Sequence, residues 1–335
     1  MTAWEPMAEA PGESDFEVRP YRPRDYAAVS TLFADIFKQP MSTAFHAWKY
    51  RPGKGCAVLV FKDDELVAHY GGVGADIVLR GKDSTAVQIV DVMVKPSVRQ
   101  AVRKTSPFFL AVTQFGERFV GYERPWLLAY GFPNERAMRL GVHMGFYALV
   151  GRMVELVWNS AAAARAPRPW WQLDTLTRDN VASYTKTLDA LWARMRRDLT
   201  QACAVIKDAA WLRWRYFEHP ERDYQVTLVR NRLTGRALGL FVCRPEGERS
   251  FLLDLVAPKA HLALLIGLAA HEAQRRQLPT LVTWCSQGFL DWLPHVKATV
   301  TELPIVTPAN MLTPGPAPDS LRNLWWLLPG DTDFL

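Results

Sequence analysis

The sequence predicts a mixed α/β protein in which one domain fold occurs twice in tandem. The chain has 335 residues, more than the roughly 100 to 200 of a usual single domain, and 49% of them are hydrophobic, which suffices for packed cores. Two segments recur at similar offsets. Residues 47–50 (Ala-Trp-Lys-Tyr) are echoed by residues 213–216 (Arg-Trp-Arg-Tyr), and the run 90–96 is echoed by 252–258, each ending in proline. Similar offsets indicate a duplicated domain.

The first copy, residues 16–158, is predicted to alternate strands with helices. Its central strand is an apolar run that ends at Pro96, because proline has no N–H to offer a sheet. Ser106 and Pro107 suit the N-cap and first position of a helix with one broad apolar face. The predicted order is a strand at 16–22, a helix at 25–37, the central strand at 86–94, a helix from 107 to 120, a strand at 126–130, a helix capped by Asn134 and ended by Gly145, and a strand at 146–157.

Composition and the repeat predict the remaining segments. Residues 1–15 are acidic and have no apolar stretch, which predicts a flexible tail without a secretory signal and hence a cytoplasmic protein. Residues 159–183 contain an alanine run followed by prolines, typical of a linker. Residues 184–310 form the second, degenerate copy, with a strand, a helix and a strand at 250–256, 261–276 and 280–285. Residues 311–335 are apolar enough that we expect a tail docked on both domains.

Three motifs resemble the GCN5-related N-acetyltransferase (GNAT) superfamily. The segment 17–26 resembles its opening strand and helix start, and Val94-x-Pro96-x-x-Arg99 resembles the end of its central strand. The most specific match is 131–137 (Gly-Phe-Pro-Asn-Glu-Arg-Ala) with 144–146 (Met-Gly-Phe), which resembles the closing helix and turn. The resemblance covers residues 16–158 well and 184–310 only through the repeat. It implies two tandem acyl-CoA N-acyltransferase (GNAT-like) domains, an arrangement also found in N-myristoyltransferases and Fem-type aminoacyl transferases.

The resemblance also implies an acyl-CoA site in the first copy. In the superfamily, backbone N–H groups of a glycine-rich loop at a helix N-terminus bind the CoA pyrophosphate. Here the loop lacks glycine, and a β-branched valine crowds an approaching phosphate, whereas three cations attract it, so anion binding and ordinary solvated surface both stay open. The implied CoA-binding residues are Arg99, Gln100, Ala101, Val102, Arg103 and Lys104 in this loop, Met93 or Val94 as backbone donor to the thioester carbonyl, and Asn134, which equally suits a plain helix cap.

Asp91 is the candidate general base. It lies in an otherwise apolar strand, where burial favours the neutral carboxyl and so is expected to raise its pKa. The alternative is a buried aspartate hydrogen-bonded to backbone. When the prolines of the repeat are matched, Asp254 falls one place later, and strand alternation then predicts that it points the other way. The superfamily's usual general acid, a tyrosine, would stand at Gly141; Tyr147 or Tyr130 are possible substitutes.

The function that these features favour is acyl-CoA-dependent N-acyltransfer. An acyl group, with acetyl as the first expectation, would pass from a CoA thioester to an amine of an unidentified small-molecule or polymer-precursor acceptor. Acetyl-CoA or another acyl-CoA is then the co-substrate, and no metal is expected because His271 lacks the second histidine of a zinc helix. The basic residues are scattered, so nucleic acid is not indicated, and no apolar run is long enough to span a membrane. The alternatives are an inactive GNAT-fold binding or scaffolding protein, and a Fem-type transferase that uses aminoacyl-tRNA.

Overall fold

A computed structural model of the chain describes residues 15–99 and 104–332. Within these ranges the backbone forms strands that assemble into two seven-stranded sheets. The strands are β1 Glu17–Pro20, β2 Gly55–Lys62, β3 Glu65–Leu79, β4 Lys82–Val94, β5 Leu128–Tyr130, β6 Tyr147–Asn159, β7 Trp171–Leu176, β8 Cys203–Val205, β9 Gln225–Asn231, β10 Ala237–Glu246, β11 Arg249–Val256, β12 Thr280–Ser286, β13 Thr299–Asn310 and β14 Trp325–Trp326.

Helices cover both faces of the first sheet and pack on the second. They are α1 Tyr26–Phe37, α2 Thr43–Lys49, α3 Pro107–Phe119, α4 Glu135–His143, α5 Ser160–Ala163, α6 Thr185–Met195, α7 Ala209–Leu212 and α8 Leu262–Arg275. The side chains of Ser106 and Asn134 cap α3 and α4, as predicted, by accepting from the N–H groups of Phe109 and Ala137. No helix in the described ranges has the length and apolarity that crossing a membrane requires.

The first sheet has the order β1-β2-β3-β4-β5, and β8 pairs with β3 and carries β14 on its other side. One face packs on α1, where Val29 and Leu32 meet Leu59 of β2. The opposite face packs on α3, where Val112 and Phe115 belong to a second apolar cluster. The sheet therefore separates two cores, and any opening between its strands connects the α1 face with the α3 face.

The second sheet has the order β13-β6-β12-β11-β10-β9-β7, which differs from the predicted division of the chain. Strand β6 was expected to close the first domain, yet it lies between β12 and β13. Its pairing with β12 runs unbroken from Met153 to Asn159. The predicted linker 159–183 contains α5 and also β7, which forms the far edge of this sheet. Trp171 and Leu176 of β7 are buried in the second core, a contribution that the proline- and alanine-rich composition did not indicate.

The C-terminal segment is integrated into the packing of both halves. Trp325 and Trp326 are buried in two different apolar clusters, and β14 pairs in parallel with β8. Leu327 donates its N–H to Ser286 at the end of β12. The described part of this segment thus contacts both sheets.

The repeated Trp-basic-Tyr segments face each other at the junction of the two halves. Trp48 at the end of α2 stacks on Trp214, with ring centroids 4.9 Å apart and planes 17° from parallel. Trp214 lies in a π-helical turn at Arg213–Phe217 that follows α7. The guanidinium of Arg51 lies 4.0 Å above the Trp214 ring. The sequence repeat thus corresponds to two structurally matched segments in direct contact.

The matched tyrosines also bind matched aspartates, which corrects the predicted orientation of Asp254. Tyr50 donates its hydroxyl to Asp91, at 2.5 Å, and Tyr216 donates to Asp254, at 2.8 Å. A β-bulge lies at or beside each aspartate. Asp91 falls within the register shift between β3 and β4 and has a left-handed φ of 47°. The ladder between β10 and β11 shifts register immediately before Asp254. Strict strand alternation fails at a bulge, so the two aspartates are equivalent although the prolines place them one residue apart.

Candidate functional site

Strands β4 and β5 pair only briefly and then separate. Their parallel ladder joins Ala86 with Leu128 and ends with Gln88 beside Tyr130. Beyond that point β4 continues to Val94, whereas the segment that follows β5 turns away through 131–133 into α4. From Ile89 onward, β4 therefore has no strand on its β5 side within the described residues. The result is a wedge at the carboxyl ends of two parallel strands, where α/β proteins commonly bind ligands.

The wedge opens into a cavity of about 540 Å³. This volume is in the range of roughly 300 to 1,000 Å³ that is usual for small-molecule sites. The lining comes from α1 and α2 on one face, α3 and α4 on the other, and two segments of the second half. The lining residues used below are Phe45, Lys49, Tyr70, Ile89, Asp91, Val92, Phe108, Val112, Phe115, Gly116, Val120, Ala129, Asn134, Ala137, Tyr147, Asn310 and Leu312.

Asp91 is held on the wall of this cavity by a network of polar groups. Lys49 donates its ammonium to Oδ1 at 2.7 Å, and the Tyr50 hydroxyl donates to Oδ2. The backbone carbonyl of Asp91 lies 2.7 Å from Nδ1 of the buried His69. Asp91 and Lys49 are 9% and 3% exposed, so the ion pair is largely removed from water. The sequence offered one signal for these partners, the repeat of a basic residue followed by tyrosine.

The expected upward shift of the Asp91 pKa is wrong. Burial does raise it, but the charges of Lys49 and His69 and the hydrogen bonds from Lys49 and Tyr50 outweigh burial, so the pKa lies below its ordinary value. At neutral pH the carboxylate is therefore ionised, with an accepted hydrogen bond on each oxygen. The prediction considered desolvation alone, and an apolar strand sequence gives no information about a cation that arrives from a helix 42 residues earlier.

The second copy has a related cluster in its packed interior. Lys207 donates to Asp254 at 2.8 Å and to Asp331 at 3.0 Å, and all three side chains are fully buried. Burial raises the pKa of Asp331 to about 6, despite its contact with Lys207. In this second cluster Asp331 lines a smaller cavity of about 130 Å³, whereas Asp91 and Lys49 of the first copy line the cavity of about 540 Å³.

The predicted CoA-binding residues fall into three groups. Met93 is fully buried in the α1 core and Val94 packs on the α3 side, while the β4 residues that line the cavity are Ile89, Asp91 and Val92. Arg99 and Lys104 are exposed, and both precede α3 in the sequence. Arg99 donates to the Val94 carbonyl at 3.0 Å. Gln100, Ala101, Val102 and Arg103 lie outside the described residues. The roles assigned to all of these residues stay predictions.

Asn134 is the predicted helix cap, and its role in binding CoA stays a prediction. It caps α4 through its Oδ1, which accepts from the Ala137 N–H at 2.9 Å, and it also lines the cavity at the mouth of the wedge. Its backbone forms an isolated bridge with Ile305. The turn that ends β5 is thus fixed from two sides at the cavity mouth.

Tyr147, and not Tyr130, lies at the cavity. A Cβ built on Gly141 would lie 2.0 Å from Cδ2 of Tyr147, so the ring of Tyr147 occupies the space beside the position where a tyrosine was sought. The Tyr147 and Tyr70 hydroxyls are 2.6 Å apart. Burial raises the pKa of Tyr147 to about 12. Tyr130 instead packs on Trp325, with ring centroids 4.7 Å apart, on the side away from the large cavity.

Comparison with known proteins agrees with this architecture. Residues 17–104 match a family described as an acetyltransferase (GNAT) domain. No curated protein matches the sequence. A probable N-acyltransferase from Enterococcus faecalis V583 superposes with a TM-score of 0.69 at 12% identity, over 89% of this chain and 72% of that one.

Two further solved structures contain both halves of the fold. A tandem GNAT protein from the clavulanic acid biosynthesis pathway gives a TM-score of 0.57 at 12% identity, over 90% of this chain and 99% of that one. Saccharomyces cerevisiae N-myristoyltransferase with bound myristoyl-CoA gives 0.52 at 14% identity, over 90% and 84%. Identities this low concern the fold alone. Residues 17–104 therefore resemble a GNAT domain, and the chain as a whole has the fold of the tandem GNAT proteins.

Proposed function

We propose that the protein is an acyl-CoA-dependent N-acyltransferase that binds its thioester in the wedge between β4 and β5. In the reaction the neutral amine nitrogen attacks the thioester carbonyl, a C–N bond forms and the C–S bond breaks. The nitrogen loses one proton as the amide forms, and the leaving thiolate takes up one proton. The observation that carries the proposal is the β4 edge beside the cavity. This edge has no strand on its β5 side among the described residues. The Asp91 carbonyl contacts His69 and the Val94 carbonyl accepts from Arg99, and the other backbone groups of the edge are proposed to bind the amides of a CoA arm, much as a sheet edge accepts an added strand.

Support for the phosphate end comes from the start of α3. This 13-residue helix begins at Pro107, and the partial positive charge of its N-terminus favours an anion. Arg99 and Lys104, the described residues on either side of positions 100–103, are exposed. We therefore retain the segment from Arg99 to Lys104, including Gln100 to Arg103, as the pyrophosphate-binding part of the proposal.

Tyr147 is the proposed proton donor to the leaving thiolate. It lines the cavity, and its raised pKa keeps the phenol protonated at neutral pH, which a general acid requires. The hydrogen bond with Tyr70 fixes the position of the hydroxyl. Since Gly141 leaves room for this ring, the proton donor in this chain comes from the strand after α4.

Asp91 has a different part in the proposal from the one predicted. A general base works best with a pKa near the operating pH, and the pKa of Asp91 is lowered. We assign Asp91 a positioning role, in which its carboxylate accepts from the Tyr50 hydroxyl and fixes the Lys49 ammonium at the cavity wall. The general-base role and the positioning role predict different turnover for the double variant Lys49→Met, Asp91→Asn.

Calorimetric titration with acyl-CoA thioesters and with free CoA tests the proposal. The expected result is saturable binding of at least one thioester, followed by release of free CoA thiol when a panel of amines is added. Ala137→Trp places a large ring at the exposed cavity mouth and should weaken binding at least tenfold. Val142→Trp makes a similar change on α4 at a residue that is 49% exposed and outside the cavity lining, so it should bind normally. The absence of binding at millimolar thioester would overturn the proposal.

A further inference from the structure

The cavity continues past the wedge along α3. Its lining follows that helix from Phe108 at one end to Gly116 and then Val120 at the other. Val120 forms a bridge with Trp126, just before β5 begins, whereas the wedge opens after β5 ends. The cavity therefore extends under the sheet along the length of β5, well beyond the point where the two strands separate.

The deep part of the cavity has an apolar lining. We define it by the residues Val112, Phe115, Gly116, Val120, Ala129 and Leu312, none of which has a polar side-chain atom. The neighbouring polar side chain, Asn310, is engaged with Thr313 and with the Leu312 N–H. The Tyr70 and Tyr147 hydroxyls bond each other. A ligand group in the deep part would thus find carbon surface.

This lining suits hydrocarbon and does not suit the arm of CoA. The arm contains amides, and an amide that leaves water without finding a hydrogen-bond partner is strongly disfavoured. The amides are instead matched by the free edge of β4 at the wedge. An alkyl group gains from every methylene that it buries, without any directional requirement.

The length of the deep part exceeds what a two-carbon acyl group occupies. Val120 follows Val112 by eight residues, which is about 12 Å at the 1.5 Å rise per helical residue. Leu312 packs against the helix at Gly116, since a Cβ on Gly116 would lie 3.1 Å from its Cδ1. We propose that the acyl donor is a medium- or long-chain acyl-CoA whose hydrocarbon chain lies along α3 in this deep part; this inference rests on the function proposed above.

A chain-length series tests the inference on the wild-type protein. Calorimetric titration would use acetyl-, butyryl-, octanoyl- and dodecanoyl-CoA, with free CoA as reference. Burial of methylenes predicts up to about fourfold tighter binding for each one added. Octanoyl-CoA should therefore bind at least tenfold more tightly than acetyl-CoA. Equal binding of acetyl- and dodecanoyl-CoA would overturn this inference and leave the proposed function standing, whereas binding of no thioester would overturn both.

Leu312→Trp and Met311→Trp form a matched pair of variants. The first substitution places a large ring in the deep part, while the second changes the adjacent side chain, which is 51% exposed and outside the cavity lining. We expect Leu312→Trp to lose the chain-length preference and to keep acetyl-CoA affinity within about twofold, and Met311→Trp to behave as wild type. Equal weakening of all thioesters by Leu312→Trp in a protein with normal thermal stability would overturn the inference. The wild-type series decides the question if that variant does not fold.

Discussion

Trp48 and Trp214 donate hydrogen bonds to each other's backbone. The indole N–H of Trp48 reaches the Trp214 carbonyl at 2.8 Å, and the indole N–H of Trp214 reaches the Trp48 carbonyl at 3.1 Å. Each residue thus serves as donor and acceptor for its counterpart in the repeat, while their rings stack. The arrangement is like the two-fold interface of a homodimer, but both contacting surfaces belong to one chain, and each copy contributes the equivalent residue.

Trp48→Phe should destabilise the protein by about 1 to 3 kcal/mol, because it leaves a carbonyl at the junction without its donor while keeping an aromatic ring. Urea denaturation measures the change. Trp170→Phe, at a residue that is 43% exposed, is the control and should cost less than about 0.5 kcal/mol. The double variant Trp48→Phe, Trp214→Phe completes a thermodynamic cycle. Similar losses for Trp48→Phe and Trp170→Phe would show that the reciprocal bonds contribute nothing to stability.

Asp91→Asn should destabilise the protein by roughly 3 to 5 kcal/mol, because the buried Lys49 ammonium loses its anionic partner. The double variant Lys49→Met, Asp91→Asn removes both charges and should recover most of that stability, since neutral replacement of a buried pair is often tolerated. Thermal denaturation and steady-state kinetics would be measured on both proteins.

The kinetics of the double variant separate the two roles of Asp91. In the positioning role the buried pair only fixes the cavity wall and neither charge takes part in the reaction, so turnover should stay within about tenfold of wild type once the fold is restored. In the general-base role predicted from the sequence, kcat should fall by about 10² to 10⁴ even in a stable protein. A well-folded double variant with that loss would refute the positioning role.

Tyr147→Phe should lower kcat about a hundredfold, because it removes the hydroxyl proposed to protonate the thiolate, and should change thioester affinity little. The loss should be smaller when the leaving thiol is more acidic, a dependence that a packing defect would not produce. Tyr122→Phe, at a tyrosine that is 57% exposed and outside the cavity lining, serves as control. Unchanged kcat in Tyr147→Phe would remove Tyr147 from the chemistry.

His219 should make the protein less stable in mild acid. Burial, helped by the neighbouring Arg215 and Arg222, lowers the pKa of His219 to about 3, and its ring lies 4.3 Å from Trp48 at the junction. Below pH 6.5 the unfolded chain gains a proton that the folded chain does not, so stability present above pH 6.5 is lost as the pH falls. After discounting for solvent screening, the loss between pH 7.5 and 5.5 is about 1 kcal/mol.

Urea denaturation at these two pH values measures the loss. His219→Asn, whose amide oxygen can still accept from the Glu221 N–H, should show a difference smaller by that amount, whatever its absolute stability. His143→Asn, at an exposed histidine, should keep the wild-type difference. A wild-type pH response in His219→Asn would show that this ring does not titrate as described.

The sequence was sufficient for local elements but not for their long-range partners. The caps Ser106 and Asn134 could be identified because they depend on residues three positions away. The bulge at Asp91 could not, because nothing in an apolar run indicates an extra residue between two ladder pairs. Tyr147 was named only as a substitute, since its position beside Gly141 depends on how β6 leaves α4. Lys49 was recognised as part of the repeat, but its pairing with Asp91 requires the tertiary fold.

Strand β6 makes the folding of the first half depend on the second half. It follows the helix that closes the wedge, yet its hydrogen bonds are made to β12 and β13 in the other sheet. A protein shortened after residue 158 would keep twelve of the thirteen residues of this strand without its partners β12 and β13, and open strand edges promote aggregation. Deletion of the second half is therefore expected to destabilise the first half as well. Substitutions in the second half are tolerated only while β12 and β13 still pair with β6.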